Sequence, residues 1–80
     1  MPRFFFHLRG DRQNYEDRVG MQLPSLQEAE IVAVRAAGLI LAETPAHDEE
    51  LLQRWFEVVD ADGHCLVLVP LRSILLLEAA

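Results

Sequence analysis

The sequence predicts an α+β domain: two β-hairpins flanking one long helix in the order β-β-α-β-β, with the helix packed on one face of an antiparallel sheet. Three observations point there. Residues 3–9 are an aromatic run, Ser25 opens an alanine- and leucine-rich stretch with a capping box, and Asp60–Gly63 reads as a turn between two apolar runs. Eighty residues leave room for one domain, spanning 1–80.

The first run, Arg3-Phe4-Phe5-Phe6-His7-Leu8-Arg9, has strand composition. Period two places Phe4, Phe6 and Leu8 on one face and Phe5, His7 and Arg9 on the other. Gly10 to Asp17 is polar and breaks the pattern, and Val19 to Leu23 returns as a short second strand. Ser25-Leu26-Gln27-Glu28 then has the S-x-x-E spacing. In that arrangement the Ser25 hydroxyl accepts from the Glu28 amide and the Glu28 carboxylate reaches back to the Ser25 amide. The helical pattern runs to Thr44-Pro45, where proline ends it. At about 100° per residue, Leu26, Ala29, Ala33, Ala37, Ile40 and Leu41 form the inner face. Its alanines let the helix lie close to a sheet. Glu28 and Arg35 mark the outer face, where Val32 and Leu39 are unusually apolar for a solvated surface.

Residues 46–53 place Asp48, Glu49 and Glu50 before Leu51 and Leu52, a polar connection or a single helical turn. The second hairpin follows, with Arg54–Val59 and His64–Leu71 joined by Asp60-Ala61-Asp62-Gly63. Gly63 suits the left-handed position of a three-residue loop with a bulge. The expected register pairs Val58 with Leu66 and Phe56 with Leu68 on one face. On the other it pairs Val59 with Cys65, Glu57 with Val67 and Trp55 with Val69. One face meets the helix; the second is also apolar, apart from Glu57. Pro70 marks an edge strand or its end. Ser73 would cap a short C-terminal helix carrying Ile74, Leu75, Leu76 and Leu77.

Hydrophobic residues make up 51% of the chain, with four glycines besides. Ordinary soluble domains reach roughly 45–50% with glycine included. A small domain has little interior, so part of this excess belongs on the surface and a second copy is the expected partner. The interface is expected on the second sheet face, at Trp55, Val59, Cys65, Val67 and Val69 with Phe5 beside them. The tail Ile74, Leu75, Leu76 and Leu77 and the helix residues Val32 and Leu39 extend it. The tail either covers the second face of the sheet or docks on another chain.

The leading expectation is therefore a non-catalytic interaction module that homodimerises. The net charge of −6 works against bulk nucleic-acid binding. Residues 1–20, however, carry a net +1 from Arg3, Arg9, Arg12 and Arg18 against Asp11, Glu16 and Asp17, leaving −7 for the rest. This keeps open a regulatory or nucleic-acid-associated protein using the first hairpin, with Phe4, Phe5, Phe6 and Trp55 as a stacking surface. A small-ligand binder with a pocket between sheet and helix is a third reading. A lone Cys65 excludes an internal disulfide, and the absence of a secretory leader points to the cytoplasm. No apolar run is long enough for a membrane-spanning helix.

No catalytic, cofactor-binding or metal-binding residues are assigned. His64 and Cys65 are strand neighbours whose side chains point to opposite faces, and so cannot readily chelate one ion. Cys65 and His7 would share a face if the first and fourth strands were adjacent, but no oxyanion hole or orienting third group is evident. Asp60-Ala61-Asp62-Gly63 has the opening of a calcium loop, yet Leu71 stands where the closing glutamate belongs. It reads as a turn.

Four segments carry a resemblance: Met1–Arg9, Leu23-Pro24-Ser25-Leu26-Gln27-Glu28-Ala29, Trp55–Gly63 and Leu68-Val69-Pro70-Leu71. In order and spacing the chain resembles a family of short bacterial proteins, common in rhizobia and their relatives, catalogued only as a domain of unknown function. The resemblance spans nearly the whole chain and implies a bacterial cytoplasmic protein with the same strand–helix–strand order. It carries no activity and no catalytic residues. On the helix, Val32, Gly38 and Leu39 stand where the family usually carries charge, so the outer surface of this helix is expected to differ from a typical member's.

Overall fold

The computed structural model describes residues 1–44 and 48–79, with side chains through Leu75. Its elements are β1 (Arg3–Arg9), β2 (Met21–Gln22), α1 (Leu26–Ala42), α2 (Glu49–Leu52), β3 (Trp55–Val59), β4 (Cys65–Pro70) and α3 (Leu71–Ala79). The four strands form one antiparallel sheet in the order β2-β1-β3-β4. The two expected hairpins therefore meet through β1 and β3, and β4 lies at the edge.

α1 packs over β3 and β4, and Ala29, Ala33 and Ala37 are fully buried beneath it. Alanine at every fourth position brings the helix axis close to the sheet, as expected. Ile40 and Leu41 are half-buried, but Leu26 lies at the exposed first turn. The Ser25 hydroxyl accepts from the Glu28 amide at 3.3 Å, which is the first half of the capping box. The helix closes at Ala42, ahead of Pro45, and the Thr44 hydroxyl donates to the Ile40 carbonyl at 2.6 Å. Of the two alternatives for this segment α2 is the single turn, capped by Asp48, whose side chain accepts from Leu51 N at 3.0 Å. Pro45 and the start of the 46–53 connection, including His47, fall outside the described residues.

The second hairpin departs from the expected register. Val59 pairs with Cys65 as expected, but Val58 then pairs with Val67, Glu57 with Leu68, Phe56 with Val69 and Trp55 with Pro70. β4 carries one extra residue, Leu66, in a bulge. Because side chains alternate, that residue reverses the faces of everything beyond it. Val67 and Val69 turn inward beside Val58 and Phe56, while Leu68 and Pro70 turn outward. Proline supplies the physical reason. Asp60 N donates to His64 O, so unbroken alternation would place Pro70 in a hydrogen-bonded pair with Arg54. Pro70 has no N–H to give. With the bulge, Leu71 N donates to Arg54 O at 3.0 Å and Pro70 sits at a position that needs no donor.

α3 begins at Leu71, directly after Pro70, so Ser73 lies inside it and does not cap it. Leu71 and Ile74 are buried in the same core as α1, on the helix side of the sheet. Ile74 thus neither covers the second sheet face nor waits for another chain. Leu75 is exposed, and the side chains of Leu76 and Leu77 lie outside the described residues. No helix among the described residues is long and apolar enough to cross a membrane.

Candidate functional site: the uncovered face and edge of the sheet

Among the described residues, the helices occupy one face of the sheet and leave the other open. Its centre, along β1 and β3, is polar. Arg9 donates through Nε and Nη2 to Glu57 Oε1 at 3.4 and 3.2 Å, and its Nη1 lies 3.4 Å from Glu16 Oε1. Both Arg9 and Glu57 side chains are about one quarter exposed, so the pair screens Glu57 within the face. At one end Phe5 pairs with Val59, which is buried, and Phe5 abuts Gly20.

The β4 side of this face is apolar. Cys65 and Pro70 are exposed, Leu66 and Leu68 are 37% and 53% exposed, and Trp55 is half-buried beside them. Of the expected interface residues, Phe5, Trp55, Val59 and Cys65 lie on this face, with Val59 already covered. Val67 and Val69 do not, since the bulge turns them into the core. Leu66 and Leu68 replace them. Elsewhere, Leu39 on α1 is 66% exposed and Val32 is half-buried.

The strand edges differ. Along β1, Leu8 and Tyr15 exchange backbone hydrogen bonds of 2.9 and 2.8 Å, and Phe6 N donates to Asp17 Oδ2 at 3.1 Å. Asp17 Oδ1 also accepts from Val19 N and Gly20 N, both at 3.0 Å. Burial alone would raise the Asp17 carboxyl pKa. The three amides, from Gly20, Phe6 and Val19, outweigh it and hold the carboxyl below its ordinary value. Asp17 N donates to His7 Nδ1 at 3.1 Å. An amide can only donate, so Nδ1 presents its lone pair there. On β4, by contrast, no hydrogen bond among the described residues reaches the outer side of Leu68.

Three other groupings bear on chemistry. Asp60, Asp62 and His64 place ligand-type atoms within 4.8 Å of one another. However, Asp60 Oδ1 already accepts from Asp62 N and His64 N, each at 2.9 Å, and Oδ2 lies 3.2 Å from His64 Nδ1. The His64 amide foremost holds the Asp60 carboxyl low. This is a self-bonded turn, with Gly63 at φ +84° as its left-handed residue. Second, β3 separates Cys65 on β4 from His7 on β1, so the two are not neighbours. Third, α1 leaves part of the inner face over β1 uncovered. An apolar cleft of about 640 Å³ opens there, floored by Phe6, Leu8 and Phe56 and walled by Ile40, Tyr15 and Val19.

The sequence reading missed Leu68; a pocket between sheet and helix was its third reading, without residues assigned. Pro70 was the available signal for Leu68. No signal gave the position of the cleft over β1, which depends on how far α1 is displaced toward β4.

No curated protein and no solved structure gives a significant match. A family model described as "Domain of unknown function (DUF6894)" matches residues 3–72, from the first residue of β1 to the second of α3. The chain belongs to that family, the domain of unknown function DUF6894.

Proposed function

We propose that this protein is a non-catalytic interaction module of the bacterial cytoplasm that homodimerises through apolar surface, centred on β4. The carrying observation is the strip of Cys65, Leu66, Leu68 and Pro70 with Trp55, apolar and at least partly exposed on the side of the sheet that no helix among the described residues covers. Apolar area removed from water contributes roughly 25 cal/mol per Å², and monomers rarely leave contiguous patches beyond a few hundred Å² uncovered. The absence of catalysis is supported by the use made of the reactive side chains: His7 serves as an acceptor for a loop amide, and β3 separates Cys65 from it.

Light scattering over a dilution series tests the reading. A mass near twice 9.1 kDa that persists in high salt is expected. A monomer at high concentration contradicts it.

The cleft over β1 favours a second reading, binding of a small apolar molecule. Its volume lies within the roughly 300–1,000 Å³ usual for such sites. Mass spectrometry of the protein purified under native conditions tests it: a co-purifying molecule lost on substituting Phe6 supports it, and an empty protein counts against it. Nucleic-acid binding through the first hairpin has less support, because Arg9 is committed to Glu57 and Glu16 and Phe4 is buried.

A further inference from the structure

We propose that the second copy joins by strand addition, so that β4 pairs antiparallel with β4 of its copy about a two-fold axis at Leu68, giving one continuous eight-stranded sheet. This rests on the homodimer reading and specifies its geometry.

The direction of the Leu68 backbone follows from the ladder. Leu71 N donates to Arg54 O, which makes Arg54–Leu71 a hydrogen-bonded position. Alternation then makes Phe56–Val69 and Val58–Val67 hydrogen-bonded, and Glu57–Leu68 not. The N–H and C=O of Leu68 therefore point away from β3, into the open edge. The same alternation turns the Phe6 and Leu8 amides away from β3, where Asp17 and Tyr15 meet them, so it holds across the sheet.

Leu68 is the residue at which a two-fold can close. Pro70 offers only a carbonyl and Leu66 lies in the bulge. At the axis, Leu68 N–H of each copy meets the carbonyl of the other, as in any hydrogen-bonded antiparallel pair. Sheet edges of natural proteins are usually guarded by charge, a covering loop or shortness. The β1 edge has such guards in its loop and in the two-residue β2. β4 has six residues without a charge, and its uncharged run continues through Leu71.

Charge leaves β4 as the edge where a copy can join. With 13 acidic residues against 7 basic, two copies repel over most of their surface. Along β4 they meet without opposing any carboxylate, and Glu57, across from Leu68 on β3, is paired with Arg9. The two-fold also lays the exposed Leu66 and Leu68 strips side by side on one face, continuous with Trp55.

Two variants and one mass measurement test this on the full chain. Leu68→Pro deletes an amide that β3 does not use, so it is expected to keep wild-type circular dichroism and to be monomeric. If that variant fails to fold, Leu68→Cys in a Cys65→Ser background decides. At a hydrogen-bonded two-fold the Cα atoms lie about 5.5 Å apart, within disulfide range, so mild oxidation is expected to give a covalent dimer. A wild-type dimer that persists in a folded Leu68→Pro and gives no Leu68→Cys cross-link overturns strand addition and leaves the homodimer standing. A wild type that is monomeric at every concentration overturns both.

Discussion

Along the β1 edge, Phe4 is paired with Met21, Phe6 gives its amide to the Asp17 carboxylate, and Leu8 exchanges two bonds with Tyr15; along the β4 edge, Leu68 has no such partner among the described residues. The closed edge takes a loop of eleven residues between β1 and β2, with an aspartate, a histidine and a left-handed glycine holding it in place. The open edge consists of cysteine, leucine, valine and proline. One short sheet thus shows both the usual protection of an edge and its omission. The omission falls where a copy of an acidic chain can approach without meeting like charge.

The largest expected effect lies on the closed side. Gly20 has φ +73°, and a Cβ there would stand 2.8 Å from Phe5 Cε2 and 2.9 Å from the Phe4 carbonyl oxygen. Left-handed strain and overpacking together put the cost of Gly20→Ala at about 2–4 kcal/mol in thermal or denaturant unfolding. Gly63 has open space around its Cβ position, so Gly63→Ala incurs only the left-handed strain, about 1–2 kcal/mol. Equal losses at the two sites would show that the loop does not press on β1.

Next comes a contrast between neighbours on β4. Val69 is 6% exposed and Leu68 53%, so Val69→Ala is expected to cost about 2 kcal/mol of protomer stability. Leu68→Ala is expected to leave protomer stability nearly unchanged and to weaken association. The reverse pattern would restore the unbulged register.

Asp17→Ala leaves three amides without their acceptor, at a cost of about 1–3 kcal/mol. The effect depends on pH. Because the folded carboxyl sits below its ordinary value of 3.8, its contribution is complete above that value and is lost as pH falls through the lowered one. The stability gap between wild type and Asp17→Ala is therefore expected to be constant near neutrality and to close below about pH 4. A gap unchanged at pH 3 would remove the carboxylate from the account. Smallest is Arg9→Gln, expected to cost under about 1 kcal/mol, as partly exposed ion pairs do.

What the sequence made legible follows the physics of each segment. Ser25, the alanine stripe and Gly63 were readable because cap, helix period and turn each demand particular residue types. The strand faces of β1 were readable because Arg9 and His7 alternate with Phe6 and Leu8. β4 was not, since Cys-Leu-Val-Leu-Val-Pro is apolar at both parities and a one-residue slip leaves its pattern unchanged. Only the missing N–H of Pro70 distinguishes the two registers. The candidate site inherited that ambiguity: Trp55, Cys65 and Phe5 were placed on the correct face, while Val67 and Val69 stood in for Leu68.

The most direct measurement is amide hydrogen exchange at Phe6, Leu8 and Leu68, followed from dilute to concentrated protein. Phe6 and Leu8 are expected to be protected at every concentration. Leu68 is expected to exchange freely when dilute and to slow by about tenfold or more as the dimer fills. A Leu68 amide that exchanges at one fast rate throughout, beside a constant Phe6, would contradict pairing at the open edge.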